Sequence, residues 1–348
     1  MRFPNLVILL VANSFVFSAD STLVSAVLDV PHEKGKNLVW CNTFQLAWDA
    51  LGHGFCGEAL RLDGTPLLEK SLNAASAGEK DIDADSAFVK TGIVTPALLN
   101  EINSALKKRF GDNAPKPLEL APGEESVLAY SFLFKNLAFK KPFERRRDAL
   151  KWRGEEGLDA PLQAFGIMKM DGTVPDDVAA QVQILDENRR GGSYIIELKT
   201  ASRFDRLILA QAEPKATLKE TLDTVRETVK NPRREPFTIQ ISDHCIVPNI
   251  HLALERSYDE ILNKKVLNDK LKGGRLAGAR QDIHFSLDEK GATLKSAAEI
   301  LATKNGHAPR SIVFDRPFLL YMERSGAANP YLVIWFENAE LFVKSDEK

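Results

Sequence analysis

A nearly continuous apolar and aromatic run occupies residues 126–139, near the middle of the chain. It reads Ser-Val-Leu-Ala-Tyr-Ser-Phe-Leu-Phe-Lys-Asn-Leu-Ala-Phe. A strand with one face in water alternates apolar and polar residues, whereas a strand that is buried on both faces is apolar almost throughout. The run therefore predicts a buried central strand of a sheet.

Apolar residues at helical spacing predict several amphipathic helices. The clearest begins at Thr95-Pro96, a capping residue followed by a first-turn proline, and ends at Gly111. Its apolar stripe consists of Leu98, Ile102, Leu106 and Phe110. Further helices are predicted at residues 42–51, 217–229 and near 258–262, and no element is assigned to residues 52–90.

Runs rich in β-branched and aromatic residues, separated by turn residues, predict strands. An antiparallel meander is predicted at residues 182–185, 194–198 and 207–210. Other strands are predicted at residues 237–241, 283–287, 312–322 and 331–336, and the glycine-rich segment 273–278 is interpreted as a turn. Helices come first and strands cluster later, which favours an α+β fold over alternating β/α units.

The N-terminus has the order of a secretory signal peptide: Arg2, an apolar run over residues 6–17, and the small residues Ser18 and Ala19. The run is shorter than the roughly 20 apolar residues that a membrane-spanning helix needs. We therefore expect residues 1–19 to be removed and the mature protein to be exported, to the extracellular space or the periplasm, with no membrane contact. An uncleaved anchor is the alternative, because Phe17 is bulky for a residue near a cleavage site.

Charge and motif content argue against several function classes. Lys and Arg number 46 and Asp and Glu 48, so a net charge of −2 creates no bulk field for nucleic acid or an anionic membrane. The phosphate loop, nucleophile elbow and paired-histidine zinc motif of common enzymes are missing from the sequence. His53 with Cys56 and His244 with Cys245 lack the spacing of a zinc site. We assign no catalytic residue, metal or cofactor and expect no enzyme activity.

The three cysteines leave their pairing open. Cys41 and Cys56 are the nearer pair for a disulfide in an oxidising compartment, and Cys245 is distant in sequence. Buried free thiols are the alternative.

Several segments, in the same order along the chain, resemble the serpin family of protease inhibitors. The run at 126–135, followed by Lys141-Pro142-Phe143, is similar to a serpin strand that reads approximately V-L-V-N-A-I-Y-F-K before P-F. The other similar segments are 194–198 and 206–210 of the second sheet, 247–250, 258–259, the hinge-like 288–299 and the closing strand 314–320. The resemblance covers residues 95–342 best and 20–94 weakly, and it implies one serpin-like domain over residues 20–348.

The resemblance implies an α+β fold with mixed or antiparallel sheets, surrounding helices and an exposed reactive-centre loop. It also implies a monomeric inhibitor, without a cofactor, whose partner is a serine or cysteine protease. The scissile-bond candidates are Lys304, Asn305 and Gly306, and a trypsin-like protease would cut between Lys304 and Asn305. The hinge that would then insert into the main sheet as a strand comprises Glu289, Lys290, Gly291, Ala292, Thr293, Leu294, Lys295, Ser296, Ala297 and Ala298.

The hinge sequence leaves inhibition open. As a strand it places Ala292, Leu294, Ser296 and Ala298 on one side, but it also fits an amphipathic helix. Inhibitory serpins resemble one another in a threonine followed by small residues, whereas Ala292 stands at the threonine position here and Leu294 and Lys295 interrupt the small run. A non-inhibitory serpin-fold binding or structural protein is therefore the alternative function.

Three further departures concern the main sheet. A polar cluster beneath the serpin sheet has an asparagine where this chain has Tyr130 and a histidine where it has Gln281. The serine-rich helix start that completes this cluster in the family is not found in the sequence. The segment between the first predicted helix and Leu99 is too short for every helix and strand that the family places there, which predicts a trimmed main sheet.

Overall fold

The computed structural model describes residues 21–78, 80–119, 126–154, 161–168, 175–189, 191–240, 243–291 and 310–345. In these ranges the strands are β1 (Thr22–Ser25), β2 (Asn37–Cys41), β3 (Ala87–Ile93), β4 (Ser126–Asn136), β5 (Glu144–Arg145), β6 (Leu150–Lys151), β7 (Pro161–Leu162), β8 (Ala164–Ile167), β9 (Val182–Asn188), β10 (Ser193–Leu198), β11 (Asp205–Gln211), β12 (Phe237–Thr238), β13 (His244–Pro248), β14 (Ile250–Ser257), β15 (Arg275–Leu287), β16 (Ser311–Val313), β17 (Phe318–Arg324) and β18 (Leu332–Phe336). The helices are α1 (Thr43–Asp49), which continues as a π-helical segment (Ala50–Cys56), α2 (Leu67–Ala74), α3 (Pro96–Phe110), α4 (Asp176–Ala179) and α5 (Leu218–Lys230).

The described strands form three larger sheets and a two-stranded antiparallel sheet of β6 and β7. The main sheet has the order β14-β15-β4-β3, and a second four-stranded sheet has the order β16-β13-β8-β5. The largest sheet has eight strands in the order β1-β2-β18-β17-β11-β10-β9-β12. The predicted meander is confirmed, because β9, β10 and β11 are successive antiparallel neighbours. The fold is α+β, as predicted.

The apolar run forms the central strand β4 of the main sheet, as predicted. On one face, Val127 and Ala129 of β4 pack with Phe44, Ala47 and Trp48 of α1. On the other face, a cluster formed with α3 buries further β4 side chains, namely Leu128, Tyr130 and Phe132. The strand is apolar almost throughout because it is covered on both faces. Among the described residues the main sheet has only four strands, which agrees with the trimmed sheet predicted from the length of the upstream segment.

Helix α3 begins and ends where the sequence predicts. The Thr95 hydroxyl accepts a hydrogen bond from the Leu98 amide at 3.1 Å, and Pro96 occupies the first turn, where its missing N–H costs nothing. Ile102, Leu106 and Phe110 are buried as predicted, and Leu99 faces the core more fully than Leu98.

The structure corrects four of the predicted elements. Residues 258–262 form a turn and no helix, because Tyr258 is buried with its hydroxyl bonded to Gln281. Arg275 to Gly278 belong to β15, so the glycine-rich turn ends at Gly274. Residues 312–322 are two strands in different sheets, β16 and β17, separated by a bend at Arg316 just before Pro317. The strand predicted at 237–241 extends only over Phe237–Thr238.

The cysteines are free thiols in this structure. Cys41 and Cys245 are buried and Cys56 is partly exposed, so the disulfide between Cys41 and Cys56 is not formed. Burial raises the pKa of the Cys41 thiol to about 11 and that of Cys245 to about 12, which keeps both protonated and unreactive at neutral pH.

The signal-peptide prediction falls on residues 1–19, which lie outside the described residues and leave it a prediction. Among the helices that are described, none combines the length and apolar character needed to cross a membrane.

Candidate functional site

The boundary between β4 and β15, here called the seam, lies at the centre of the main sheet. The two strands run parallel and are paired from Ser126 with Arg275 to Asn136 with Ser286, with one irregularity between Leu276 and Gly278. A strand placed between two parallel neighbours can run antiparallel to both. Such a strand would follow directly from a chain that turns back at the end of β15.

The hinge turn, residues 288–291, lies across the end of the seam. The Gly291 amide donates to the Asp288 carbonyl at 3.3 Å, which closes the turn just after β15. Gly291 has φ +66°, and a Cβ added there would lie 2.2 Å from both the Leu137 carbonyl oxygen and the Phe139 amide nitrogen. Because Leu137 follows β4 directly, the turn starts at the end of one seam strand and finishes against the end of the other.

Two contacts hold the hinge turn from the side. The Phe143 amide donates to the Glu289 carbonyl at 2.8 Å. The Asn249 side-chain amide lies 3.5 Å from a Glu289 carboxylate oxygen. Asn249 joins β13 to β14, so the hinge turn contacts both four-stranded sheets.

Of the predicted hinge, Glu289, Lys290 and Gly291 are described and form this turn, with Lys290 exposed. Ala292 to Ala298 and the scissile-bond candidates Lys304, Asn305 and Gly306 fall in 292–309, outside the described residues.

The chain re-enters the described structure at Arg310, which is firmly anchored. The Arg310 amide donates to the Asp243 carboxylate at 2.7 Å, and its guanidinium forms an ion pair with the same carboxylate at 3.1 Å. The Arg310 carbonyl accepts from the His244 amide at 2.8 Å, and β16 then pairs with β13. Both ends of the 292–309 segment are therefore fixed beyond the same end of the seam.

Gln281 links the core face of the seam to α1. It is fully buried, and its amide nitrogen donates to the Thr43 hydroxyl at 2.8 Å and to the Cys41 carbonyl at 3.1 Å. Its amide oxygen accepts from the Tyr258 hydroxyl at 2.8 Å. Ser131, its cross-strand neighbour on β4, is also fully buried, and its hydroxyl has no partner among the described residues. Helix α1, which the sequence predicted at residues 42–51, therefore begins at Thr43 against the core face of the seam.

On the outer face, a chain of polar groups crosses three strands. The Tyr130 hydroxyl of β4 donates to the Asp282 carboxylate of β15 at 3.1 Å. Arg280 donates to the other Asp282 oxygen at 3.2 Å and contacts Glu255 of β14 at 3.0 Å. Burial raises the pKa of the Asp282 carboxyl, against the opposing charge of Arg280.

A buried ion pair fixes the end of β4 nearest the hinge turn. The Lys135 ammonium lies 3.1 Å from Asp205, the first residue of β11, and both side chains are less than a tenth exposed. Lys135 also donates to Ser86, and Asp205 accepts from Tyr331 at 2.8 Å. Burial opposes ionisation of Asp205, but hydrogen bonds from Ser202 and Tyr331 and the charge of Lys135 leave the pKa of its carboxyl below the ordinary value.

A depressed carboxyl pKa predicts a specific pH dependence. Asp205 should stabilise the fold above its unfolded pKa, which is about 4, and this contribution should vanish as the pH falls through the lower folded value. We expect Asp205→Asn to lower the free energy of unfolding most at pH 7, with the difference from the wild type shrinking below about pH 4. Urea unfolding at pH 7, 5, 4 and 3 measures this, and a difference that widens on acidification would refute it.

The sequence did not single out Asp282 or Arg280, although one signal was present. Ala279, Ile283, Phe285 and Leu287 fall at alternate positions, interrupted only by Gln281, which is the period of a half-buried strand. That alternation extends the predicted strand at 283–287 toward the N-terminus as far as Ala279, and it places Asp282 on the outer face of β15.

Metal chemistry finds no support in the described ranges. No group of three or more His, Cys, Asp or Glu side chains there is arranged to hold a metal ion.

Comparison with known proteins supports the fold through structure alone. No family model matches the chain, and no curated protein matches its sequence. The mouse protein-Z dependent protease inhibitor is 14% identical, with 88% of this chain and 91% of that one covered and a TM-score of 0.55. Uncleaved ovalbumin is 11% identical, with 87% and 93% covered and a TM-score of 0.51. Serpin48, a highly specific serpin of the insect Tenebrio molitor, is 10% identical, with 88% and 92% covered and a TM-score of 0.50. The chain is therefore a divergent protein with the serpin fold.

Proposed function

We propose that this protein is an exported serpin-like protease inhibitor that presents the bond after Lys304 as bait. A serine or cysteine protease would attack the Lys304 carbonyl carbon, and the bond to Asn305 would break as the new amine takes a proton. The protease would then be held as an ester or thioester on Lys304. Insertion of the hinge between β4 and β15 would trap this acyl-enzyme before water hydrolyses it.

The position of the hinge turn across the end of the seam carries this proposal. The chain leaves β15 and crosses to the end of β4, where Gly291, the last described hinge residue, lies against Leu137 and Phe139 at the end of the seam that the new strand would enter. Antiparallel entry would bond the new strand to both neighbours. The side that carries Ala292, Leu294, Ser296 and Ala298 would face the core, which suits their small or apolar side chains.

Chain length explains why cleavage must precede full insertion. β15 has 13 residues, and a strand of that length spans about 43 Å. Residues 292–304 could match it, but residues 305–309 reach at most about 18 Å. Arg310 is anchored to Asp243 beyond the end of the seam where the hinge turn lies, whereas the inserted strand would finish at the other end. Residues 305–309 of the uncut chain cannot span that distance.

Incubation with a panel of serine and cysteine proteases tests the proposal. We expect one or more trypsin-like enzymes to form a complex that survives denaturing electrophoresis, with release of a fragment that begins at Asn305. Ala298→Arg should serve as the matched control, because a charged side chain on the core side blocks insertion and leaves simple cleavage. Cleavage by every protease without any complex would refute the inhibitor proposal.

A non-inhibitory serpin-fold binding or structural protein is the second candidate. Leu294 and Lys295 favour it, because bulky side chains in the hinge slow insertion and allow the acyl-enzyme to hydrolyse. This candidate predicts cleavage of the loop as an ordinary substrate.

A further inference from the structure

We propose that the hydrogen bond between Tyr130 and Asp282 is a latch that holds the seam closed and sets how readily it opens. This inference deepens the proposed function and rests on it for its biological role. Tyr130 and Asp282 are positioning residues, since neither would touch the protease.

The latch is the main side-chain tie across the outer face of the seam. Among the described residues of β4 and β15, the bond from the Tyr130 hydroxyl to Asp282 is the only side-chain hydrogen bond that joins the two strands. Phe132 and His284 also make an edge contact on this face, with ring centroids 5.3 Å apart.

The apolar cover of α3 stops at the seam. Its cluster contains side chains of α3, β3, β4 and the segments that flank them, and no described residue of β14 or β15 belongs to it. Separation of β4 from β15 would therefore leave the α3 cluster intact. Opening of the seam on this face would break the backbone ladder, the latch and the edge contact between Phe132 and His284.

Burial makes the latch costly to lose while the seam is closed. Tyr130 is 1% exposed and Asp282 is 3% exposed. A buried carboxylate oxygen without its donor costs more than an ordinary hydrogen bond, because water cannot replace the partner. The Asp282 oxygen that accepts from Tyr130 would regain water only when the seam opens, so loss of the hydroxyl favours the open seam.

The core face offers no equivalent tie. Gln281 directs its three hydrogen bonds away from β4, to Thr43, Cys41 and Tyr258. Ser131 stands opposite it on β4, and the structure gives the Ser131 hydroxyl no partner in the described chain. Side-chain hydrogen bonding across the seam is thus concentrated in one pair.

Hydrogen exchange of the uncleaved protein, followed by mass spectrometry, tests the latch. Tyr130→Phe removes the hydroxyl and keeps the ring that packs beside Phe88. We expect exchange of the amides of β4 and β15 to rise by about fivefold to thirtyfold, with β10 and β11 unchanged. Tyr321→Phe is the matched control, because the buried Tyr321 hydroxyl has no partner in the described residues and its loss breaks no bond.

Seam amides that exchange at the wild-type rate in Tyr130→Phe would overturn the latch, as would an equal rise in all sheets. A second experiment separates the two proposals. Tyr130→Phe and the control Tyr321→Phe are each cut in the loop, and the rise in the melting temperature of each protein is followed with time. Faster stabilisation of Tyr130→Phe supports the latch. If neither protein is stabilised by cleavage but the seam of Tyr130→Phe exchanges faster, the latch holds as a feature of the sheet and the inhibitor proposal fails.

Discussion

Gly291→Ala should lower the free energy of unfolding by about 2–4 kcal/mol, because it combines backbone strain with a steric clash. The φ of +66° disfavours any residue with a Cβ, and the added carbon would lie 2.2 Å from backbone atoms of Leu137 and Phe139. Backbone atoms cannot rotate away as a side chain can, so the hinge turn would have to leave the end of the seam. Urea unfolding followed by circular dichroism measures the loss.

Gly326→Ala provides the matched control for this prediction. Gly326 has a similar φ of +78°, but nothing lies within 4 Å of a Cβ built there. Only the conformational strain of about 1 kcal/mol should then be lost. Equal losses for the two variants would show that close packing of Gly291 contributes nothing to the hinge turn.

Lys135→Met should cost about 3–5 kcal/mol of unfolding free energy, because it leaves the Asp205 carboxylate buried without its counter-charge. The Lys135 ammonium lies 3.1 Å from Asp205, and methionine fills a similar volume without the charge. The loss should appear at neutral pH in urea unfolding and diminish in acid, where Asp205 becomes protonated.

Lys90→Met is the control for charge removal alone. Lys90 forms an ion pair with Glu101, and both side chains are at least a third exposed. Exposed ion pairs contribute about 0–1 kcal/mol to stability, so this change should leave the free energy of unfolding nearly unaltered. A Lys135→Met variant as stable as Lys90→Met would contradict the assignment of Lys135 as the anchor of the end of β4.

Local patterns predicted the elements that depend on local physics. The run at 126–139 identified β4, since burial on both faces demands an apolar sequence, and the Thr95-Pro96 pair located the start of α3. The glycines at 273–278 misled the prediction because Gly278 lies at an irregularity in β15, a position where strands accept glycine. Tyr258 was assigned to a helix, whereas tertiary hydrogen bonds from its amide to the Ala279 carbonyl and from its hydroxyl to Gln281 hold it in a turn.

The interactions that define the seam could not be predicted, because they join residues far apart in sequence. Tyr130 and Asp282 are 152 positions apart, and Gln281 and Thr43 are 238 apart. The spacing of apolar residues along the chain does not indicate which distant side chains form a hydrogen bond. The resemblance indicated which strands would meet, but the residues at Tyr130 and Gln281 differ from the family pattern, so their partners emerged only from the structure.

The melting temperature before and after a single cut in the 292–309 segment tests most directly whether the seam accepts the loop as a strand. If the cut chain inserts, the new central strand should raise the melting temperature by about 10 °C or more, since about 1 kcal/mol shifts a chain of this size by 2–4 °C. Ala298→Arg, cut in the same way, should show no rise. An unchanged or lower melting temperature of the cut wild-type protein would contradict insertion at the seam.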